Sequence, residues 1–206
     1  MILRIARARG PAGQREAIVR YLAVEAPALA ASVPGLGSFW AGLREDADAL
    51  RFVLVSTWQD PGALTEAAGA GWQAAVRPLP PGAEMEVAEH YELVDEPRPA
   101  ISPPEGSVLR ILRAAVAGQF EQNFFELARE VHAEHSGRGL IAIHLGRRLE
   151  GDRDVVVRVT LWRTWAALRE AAPEGIDRPF FLDALQPHLS DLSIEHYDGF
   201  GPRGDG

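Results

Sequence analysis

The chain has 206 residues, of which 47% are hydrophobic and 24% charged, as expected for a globular protein with one large domain or two small ones. Its net charge is −8 and it contains no lysine, so nucleic acid and anionic membranes are not expected as partners and a lysine Schiff base is excluded. The absence of cysteine excludes disulfides and thiolate chemistry. Because neither a long apolar run nor a signal peptide is recognisable, we expect a cytoplasmic protein.

The first half of the chain alternates between strand and helix patterns. Hydrophobic periodicity and capping residues predict the following elements: a strand at 2–9, a helix at about 14–31, strands at about 37–44 and 51–58, a helix capped by Asp60 with Pro61 at its first position, and a last strand that carries Glu89-His90-Tyr91. The order β-α-β-β-α-β is that of the ferredoxin-like split βαβ unit.

The second half repeats this order. "ILRIARA" at 2–8 matches "VLRILRA" at 108–114, and "VLVSTW" at the end of one strand matches "VRVTLW" in the other half. Thr164 is placed to cap the second helix of this half, as Asp60 does in the first. The repeat predicts the following organisation: a ferredoxin-like domain at 1–96, a proline-rich linker at 97–106, a second ferredoxin-like domain at 107–200 and a tail at 201–206.

Both faces of each predicted sheet are apolar. Ile2, Leu3 and Ile5, for example, occupy both parities of the first strand, whereas helices cover only one face of a ferredoxin-like sheet. We therefore predict an α+β fold in which two tandem ferredoxin-like (βαββαβ) halves pack their antiparallel sheets into one dimeric-type α+β barrel. One chain would then be a monomer with a pseudo-dimeric barrel, and further oligomerisation is left open.

Several segments of the first half carry a family resemblance. With a strand ending in "STW", a helix starting at "DPGAL" and the terminal strand "VAEHYELVD", this half resembles the antibiotic biosynthesis monooxygenase domain family; "TLW", "TWAAL" and "IEHYDGF" repeat the pattern in the second half. Domains of that family are ferredoxin-like and usually pair into dimeric α+β barrels. The family includes oxygenases of polyketide quinones that need no cofactor, haem-degrading enzymes and members of unassigned activity, so the resemblance by itself leaves the function open.

Two pairs of matching aromatic positions are candidates for substrate binding. The resemblance places Trp58 and Trp162 beside a pocket between sheet and helices, where they would stack on an aromatic ligand; packing in the core is the alternative. Trp40 and His144, which match each other in the middle of a strand, are further candidates for the pocket wall.

The repeated histidines His90 and His196 are candidate general bases, because imidazole titrates near neutral pH. Strand alternation puts Glu92 on the same face as His90, and Asp198 on the same face as His196, so each histidine has a carboxylate that could orient it. The alternative is that both triplets are the polar rim of a terminal strand.

Four more residues at matching positions are candidate ligand contacts. Tyr91 and Tyr197 would hydrogen-bond a phenolic substrate or fill the interface between the sheets. Arg4 and Arg110 lie in the middle of the first strand of each half, an unusual place for charge. Each is expected to pair with a carboxylate across the sheet interface or, alternatively, to bind an anionic ligand.

No metal or cofactor is predicted. His132 and His135 lie one helical turn apart and could supply two metal ligands, but the matching first-half positions, Pro27 and Ala30, cannot. The asparagine and histidine of the haem-degrading branch are missing from the matching segments of both halves, so haem is not expected.

These observations lead to one functional prediction with two alternatives. We predict a cofactor-independent, monooxygenase-like enzyme that acts on a small aromatic or polyketide-like substrate in a pocket between sheet and helices. His90 or His196 would help to deprotonate a phenol, and its anion would react with oxygen. The alternatives are a non-catalytic protein that binds a small aromatic or apolar ligand or assists assembly, and a haem-binding or haem-degrading protein.

Overall fold

The computed structural model of the protein describes residues 1–76, 78–94, 103–149, 154–179 and 185–200. The first half consists of β1 (Ile2–Pro11), a 3₁₀ turn (Ala12–Gln14), α1 (Arg15–Arg20), a π-helical turn (Tyr21–Glu25), α2 (Ala26–Ala31), β2 (Leu36–Glu45), β3 (Ala49–Trp58), α3 (Pro61–Ala68) and β4 (Glu84–Leu93). The second half consists of β5 (Val108–Val116), a 3₁₀ turn (Gly118–Phe120), α4 (Glu121–His135), β6 (Leu140–Arg148), β7 (Val155–Trp162), α5 (Trp165–Ala171), a 3₁₀ turn (Gln186–His188) and β8 (Leu189–Phe200).

The fold class predicted from the sequence, α+β with two ferredoxin-like halves, is confirmed. Both halves have the order βαββαβ, and the strand pairs are antiparallel. The predicted cap of α3 is also present, since Asp60 Oδ1 accepts from the Ala63 N–H at 2.9 Å. Thr164 Oγ1 likewise accepts from the Ala167 N–H at 3.1 Å at the start of α5. None of the described helices is long and apolar enough to cross a membrane.

The chain forms two compact units that differ slightly from the two sequence repeats. In the described residues, unit one contains 1–90, 103–105 and 197–200, and unit two contains 91–94 and 106–196. The boundary between the two units therefore lies inside each Glu-His-Tyr triplet, between His90 and Tyr91 and between His196 and Tyr197. The predicted tail at 201–206 and positions 97–102 of the predicted linker lie outside the described residues.

Each unit has a sheet of the same design. In unit one the strand order β1-β3-β2 is extended by the end of β8, where Ala41 pairs with Phe200. In unit two the order β5-β7-β6 is extended by the end of β4, where Tyr91 pairs with Arg148. The last residues of each half thus complete the sheet of the unit that the other half mainly forms.

Both faces of the first strand are buried, as the sequence predicted. Leu3 and Ile5 are fully buried on one face, and Arg4 and Ala6 are buried on the other. The second face packs against the helices of the same half. In the first half this helix-side core includes Ile18, Tyr21 and Leu22 from the first helix, and in the second half Phe124, Phe125 and Ala128 from α4.

The first helix contains a π-helical turn that the sequence analysis did not predict. The helical segment at 15–31 widens at Tyr21–Glu25, whereas α4 is a regular helix throughout. The segment that runs from the 3₁₀ turn to the glycine after the helix (Gly35 or Gly139) is longer in the first half than in the second. A π turn accommodates one additional residue without ending the helix, and such turns occur often at functional sites.

A glycine with a left-handed backbone immediately precedes both β2 and β6. Gly35 has φ +74° and Gly139 has φ +103°, and a Cβ atom at either position would lie 2.5 Å from the Cβ of an alanine in the next helix, Ala63 or Ala167. The carbonyl of Gly35 also accepts a hydrogen bond from the Gln59 N–H at 2.8 Å. Only glycine satisfies both the backbone angle and the close approach.

We expect Gly35→Ala to lower the free energy of unfolding by about 2–4 kcal/mol, because it adds both backbone strain and a steric overlap with Ala63. Denaturant titration followed by circular dichroism would measure the change. Gly13→Ala is the matched control: no atom lies within 4 Å of its added Cβ, so its effect should stay within about 1 kcal/mol. Equal effects of the two substitutions would contradict this account of Gly35.

Candidate functional site

A cavity of about 40 Å³ lies in unit one between the sheet and the first helix. This is the kind of pocket predicted from the sequence, although it is smaller than the space that a drug-sized ligand needs. Its walls come from β1, β2, β3, the π turn, α2, the start of β4 and the segment after α3. The lining residues are Arg4, Tyr21, Ala26, Leu29, Ala30, Val33, Leu36, Phe39, Leu54, Ser56, Trp58, Ala75, Val76 and Met85.

The sheet side of the cavity is formed by alternate residues of β3. Leu54, Ser56 and Trp58 share one face of the strand, and Arg4 lies opposite Ser56 in the register between β1 and β3. Trp58 is fully buried, and its indole Nε1 donates to Ser56 Oγ at 2.9 Å. The predicted position of Trp58 beside a pocket is therefore found, with the polar edge of the ring already bonded within the strand.

Trp162 makes the same bond in the second half. Its Nε1 donates to Thr160 Oγ1 at 3.0 Å. The ring packs in a core with Val108, Leu140 and Leu168, and His135 contacts it edge-on with ring centroids 6.1 Å apart. The environment of Trp162 in unit two is thus a packed core.

Arg4 places a positive charge in the wall of the apolar cavity. The residue is only 2% exposed. Its Nη2 donates to the Ala74 carbonyl at 2.7 Å, and its Nε and Nη2 both reach the Trp72 carbonyl at 3.4 Å. The expected carboxylate partner was wrong for this residue: among the residues that the structure describes, the acceptors are backbone carbonyls. Burial lowers the pKa of Arg4 to about 10, so the guanidinium still carries its charge at neutral pH.

The carbonyls that bind Arg4 belong to residues 69–76, which we call the strap. It follows α3 without regular secondary structure, and its Ala75 and Val76 form part of the cavity wall. Gln73 attaches the strap to β4, because its side chain exchanges two hydrogen bonds with the backbone of Ala88, at 3.0 and 3.3 Å. Trp72 Nε1 donates to Thr65 Oγ1 at 2.8 Å.

The backbone of the strap has unusual dihedral angles. Trp72 has φ +56°, a left-handed value that is uncommon for a bulky side chain, and Gly69 and Gly71 have φ +75° and +82°. A left-handed residue other than glycine is held there by its surroundings at a cost of about 1–3 kcal/mol. Trp72 is held by three hydrogen bonds of its own, from its N–H to the Gly69 carbonyl, from its Nε1 to Thr65, and from Arg4 to its carbonyl, and the neighbouring Gln73 is bonded to Ala88.

The second half contains a matching arginine with a different electrostatic environment. Arg110 donates to the Ile176 carbonyl at 3.3 Å and to the Arg178 carbonyl at 2.7 Å. Burial and the nearby charge of Arg158 lower the pKa of Arg110, and the carboxylate of Asp177 opposes them. The residue between the two residues whose carbonyls accept from Arg110 is therefore acidic in this half. In the first half the same position is Gln73, which is neutral.

His90 lies beside the strap and does not line the cavity. The imidazole is buried, and its ring contacts the ring of Trp72 edge-on with centroids 5.2 Å apart. Glu92, which was predicted to orient His90, points toward solvent and toward Arg147, with 3.8 Å between the charged groups. The role of His90 as a base stays a prediction, and its geometry assigns it no direct contact with a molecule in the cavity.

His196 has an acidic neighbour that the sequence did not indicate. Its Nδ1 lies 3.6 Å from Asp177 Oδ1, and its ring is 5.8 Å from that of Trp165. The predicted partner was Asp198, on the same strand. That pairing stays a prediction, and the carboxylate of Asp177 comes from the segment after α5, which crosses over the strand end as the strap does in the first half.

The two tyrosines of the repeated triplets are buried against glycines. In unit one, a Cβ on Gly42 would lie 2.6 Å from the Tyr197 Cβ; in unit two, a Cβ on Gly146 would lie 2.7 Å from the Tyr91 Cβ. Arg44 also stacks over the Tyr197 ring at 5.5 Å. These contacts give both tyrosines a packing role next to the sheet, and neither tyrosine lines the cavity.

The remaining candidates lie away from the cavity. Trp40 and His144 are buried in β2 and β6; since Phe39 lines the cavity, strand alternation points Trp40 to the opposite face. His135 is buried with its Nδ1 3.1 Å from the Val131 carbonyl. No group of three or more potential metal ligands occurs within the described ranges.

Sequence reasoning missed three residues that define the site. Tyr21 lines the cavity from the π turn, Trp72 forms the strap, and Asp177 supplies charge in the second half. A signal was present for Trp72, because "GAGW" puts two glycines next to a large aromatic residue, a composition typical of an irregular, closely packed turn.

The bond between Trp58 and Ser56 yields a stability prediction. Ser56→Ala leaves a buried indole N–H without its acceptor and should cost about 1–3 kcal/mol. In a Trp58→Phe background the same substitution should cost clearly less, because the donor is gone. Unfolding free energies of the four proteins in this double-mutant cycle would give the coupling. Additive effects would show that the bond contributes nothing to stability.

Solved structures share the fold of the whole chain. A candidate monooxygenase from Fusobacterium nucleatum is 8% identical with a TM-score of 0.61 and covers 98% of this chain and 95% of its own. A second candidate monooxygenase, from Lactobacillus acidophilus, is 11% identical with a TM-score of 0.61, and the match covers 96% of this chain and 93% of that protein. An anthrone oxidase-like protein is 12% identical with a TM-score of 0.58, and the match covers 96% of this chain and 91% of that protein.

Sequence comparisons add nothing to this result. No family model matches the chain, and no curated protein matches it. At identities of 8–12% the structural matches establish a common double ferredoxin-like fold, and the reaction has to be argued from the site.

Proposed function

We propose that the protein is a monooxygenase-like enzyme that oxidises a small aromatic molecule with dioxygen, without an organic cofactor, in the cavity of the first half. The substrate would lie against Trp58, and an oxygen atom of its anionic form would bind the guanidinium of Arg4. The protein would supply an apolar environment, a fixed orientation and one positive charge.

One observation carries the proposal: a buried guanidinium without a bonded carboxylate faces an apolar cavity. Within the described part of the chain, Arg4 bonds to neutral carbonyl oxygens, and burial is the cause of its lowered pKa. A buried charge that lacks a countercharge attracts one strongly, because the local dielectric constant is low. An anionic ligand is therefore favoured over a neutral ligand of the same shape.

The same charge suits the chemistry of oxygen activation by an aromatic carbanion or phenolate. A ring-activated CH₂ group loses one proton to water, and the resulting anion transfers an electron to O₂ and combines with it, which forms a C–O bond and a peroxide. Protonation and loss of one water molecule from this hydroperoxide leave a ketone, so that R₂CH₂ and O₂ give R₂C=O and H₂O. Arg4 would favour this route by lowering the pKa of the bound substrate.

A second candidate is a binding protein without turnover. The cavity is small, and no histidine or carboxylate lines it, so the residues in the described wall include no ordinary general base. The same features that favour an aromatic anion would then serve ligand storage or transfer. The neighbouring structures described as monooxygenases or anthrone oxidase-like provide the support for a catalytic reading.

Substitutions at Arg4 test the role of the charge. With dithranol, a dihydroxyanthrone, we expect oxygen uptake by the native protein. Arg4→Gln should lower kcat/KM by about tenfold or more, since it removes a charge-assisted hydrogen bond, and should move the acidic limb of the pH profile to higher pH. Arg4→Lys keeps the charge and should retain more activity than Arg4→Gln. An oxygen electrode and a pH series provide the measurements.

Gln73→Asp is the matched charge control. It copies the acidic residue that stands beside Arg110 in the second half. Compared with Gln73→Asn, which shortens the side chain equally without adding charge, it should weaken binding of naphthoate, an anion, and leave binding of neutral naphthamide nearly unchanged. Tight binding of dithranol without oxygen uptake would favour the non-catalytic candidate. Loss of turnover in His90→Gln with unchanged substrate affinity would assign the base to His90 instead of solvent.

A further inference from the structure

The strap is the outer wall of the cavity and its least secured one. Trp72 is half-buried and Gln73 and Ala74 are exposed, whereas the other sides contribute both buried residues, such as Trp58 and Tyr21, and half-buried ones. The cavity of about 40 Å³ holds no more than a few water molecules. A ligand with an aromatic ring therefore requires a wall to move, and the strap is the wall whose movement disrupts the fewest packed side chains.

Arg4 connects the position of the strap to the occupancy of the cavity. Its guanidinium holds the strap through the carbonyls of Trp72 and Ala74, and the same residue lines the cavity. A carbonyl is a neutral acceptor, whereas hydrogen bonds from a guanidinium to an anionic oxygen are roughly twice as strong. An anionic oxygen within reach of Arg4 would therefore compete effectively with the two carbonyls.

The strap also contains stored strain and suitable pivot points. Trp72 is held in a left-handed conformation, and loss of the bond from Arg4 to its carbonyl would remove one of the contacts that hold it there. Gly69 and Gly71 precede it with positive φ values, and no atom lies within 4 Å of a Cβ built on either one. Because glycine has no side chain to restrict its backbone, these two positions can adopt a wide range of backbone angles.

We propose that the strap is a ligand-operated lid with Arg4 as its latch. The anionic oxygen of an aromatic ligand displaces the carbonyls of Trp72 and Ala74 from the guanidinium, and the strap turns away about Gly69 and Gly71 to make room for the ring. This inference rests on the proposed function for the location of the ligand, and it does not require that the ligand be oxidised.

The second half shows why the latch is specific to the first. The segment that Arg110 holds carries its own acid, Asp177, beside the guanidinium. An incoming anion there meets a negative charge, so it gains less by replacing the carbonyls. The strap of the first half has Gln73 at that position, and this side chain secures the strap to Ala88 without adding charge.

Hydrogen exchange read by mass spectrometry tests the latch without any ligand. Gln73→Ala removes both bonds to Ala88 and should speed amide exchange across residues 69–76 by about fivefold, and Arg4→Gln should speed it further. Arg110→Gln is the control, which should speed exchange at 172–178 and leave 69–76 unchanged. If Gln73→Ala and Arg4→Gln both leave exchange at 69–76 unchanged, the latch does not exist.

Ligand dependence is tested with naphthoate and its neutral isostere naphthamide, both without turnover. Naphthoate should speed exchange at 69–76, naphthamide should not, and Gln73→Ala should bind naphthoate about fivefold more tightly because the lid opens at lower cost. Naphthoate binding with unchanged or slowed exchange at 69–76, or no binding at millimolar concentration, would overturn the lid. An open strap with naphthoate but no oxygen uptake with dithranol would refute the enzymatic proposal alone.

Discussion

The buried guanidinium of Arg4 determines how the first half is arranged around its cavity. A charge inside a sheet must have acceptors, and the chain supplies them by leading the segment after α3 across the strand end. The planar fork of arginine reaches two carbonyls at once, which a lysine ammonium on the same strand would not do with fixed geometry. The path of the strap, the cavity wall and the contact between Trp72 and His90 all follow from these bonds.

The two halves show how a duplicated fold separates architecture from chemistry. Both keep an arginine in the first strand, a tryptophan whose indole bonds to a hydroxyl two residues earlier, and a glycine against an alanine of the next helix. They differ in charge, because Asp177 replaces Gln73, and in the helix, where only the first half has a π turn. Common features maintain the sheet and helices, and under the proposed function the differences would decide which half accepts an anion.

Most of the fold could be predicted from the sequence, because periodicity and caps are local signals. Asp60 and Thr164 cap helices as expected, and the strand limits agree within two residues. The partners of Arg4 could not be predicted, since backbone carbonyls leave no mark in a sequence. Nor could the position of His90: alternation gives the face of a strand, whereas the cavity is set by the segments that cross that face.

The ends of β4 and β8 complete the sheet that the other half mainly forms, and this has a consequence for the order of folding. Ala41 pairs with Phe200, so the edge of β2 stays open until β8 has left the ribosome. Pairings between such distant positions form slowly, because a long loop must close first. An uncovered edge strand is also a site of misassembly. Nascent chains of this protein would therefore be vulnerable to aggregation until β8 is available to cover the edge of β2.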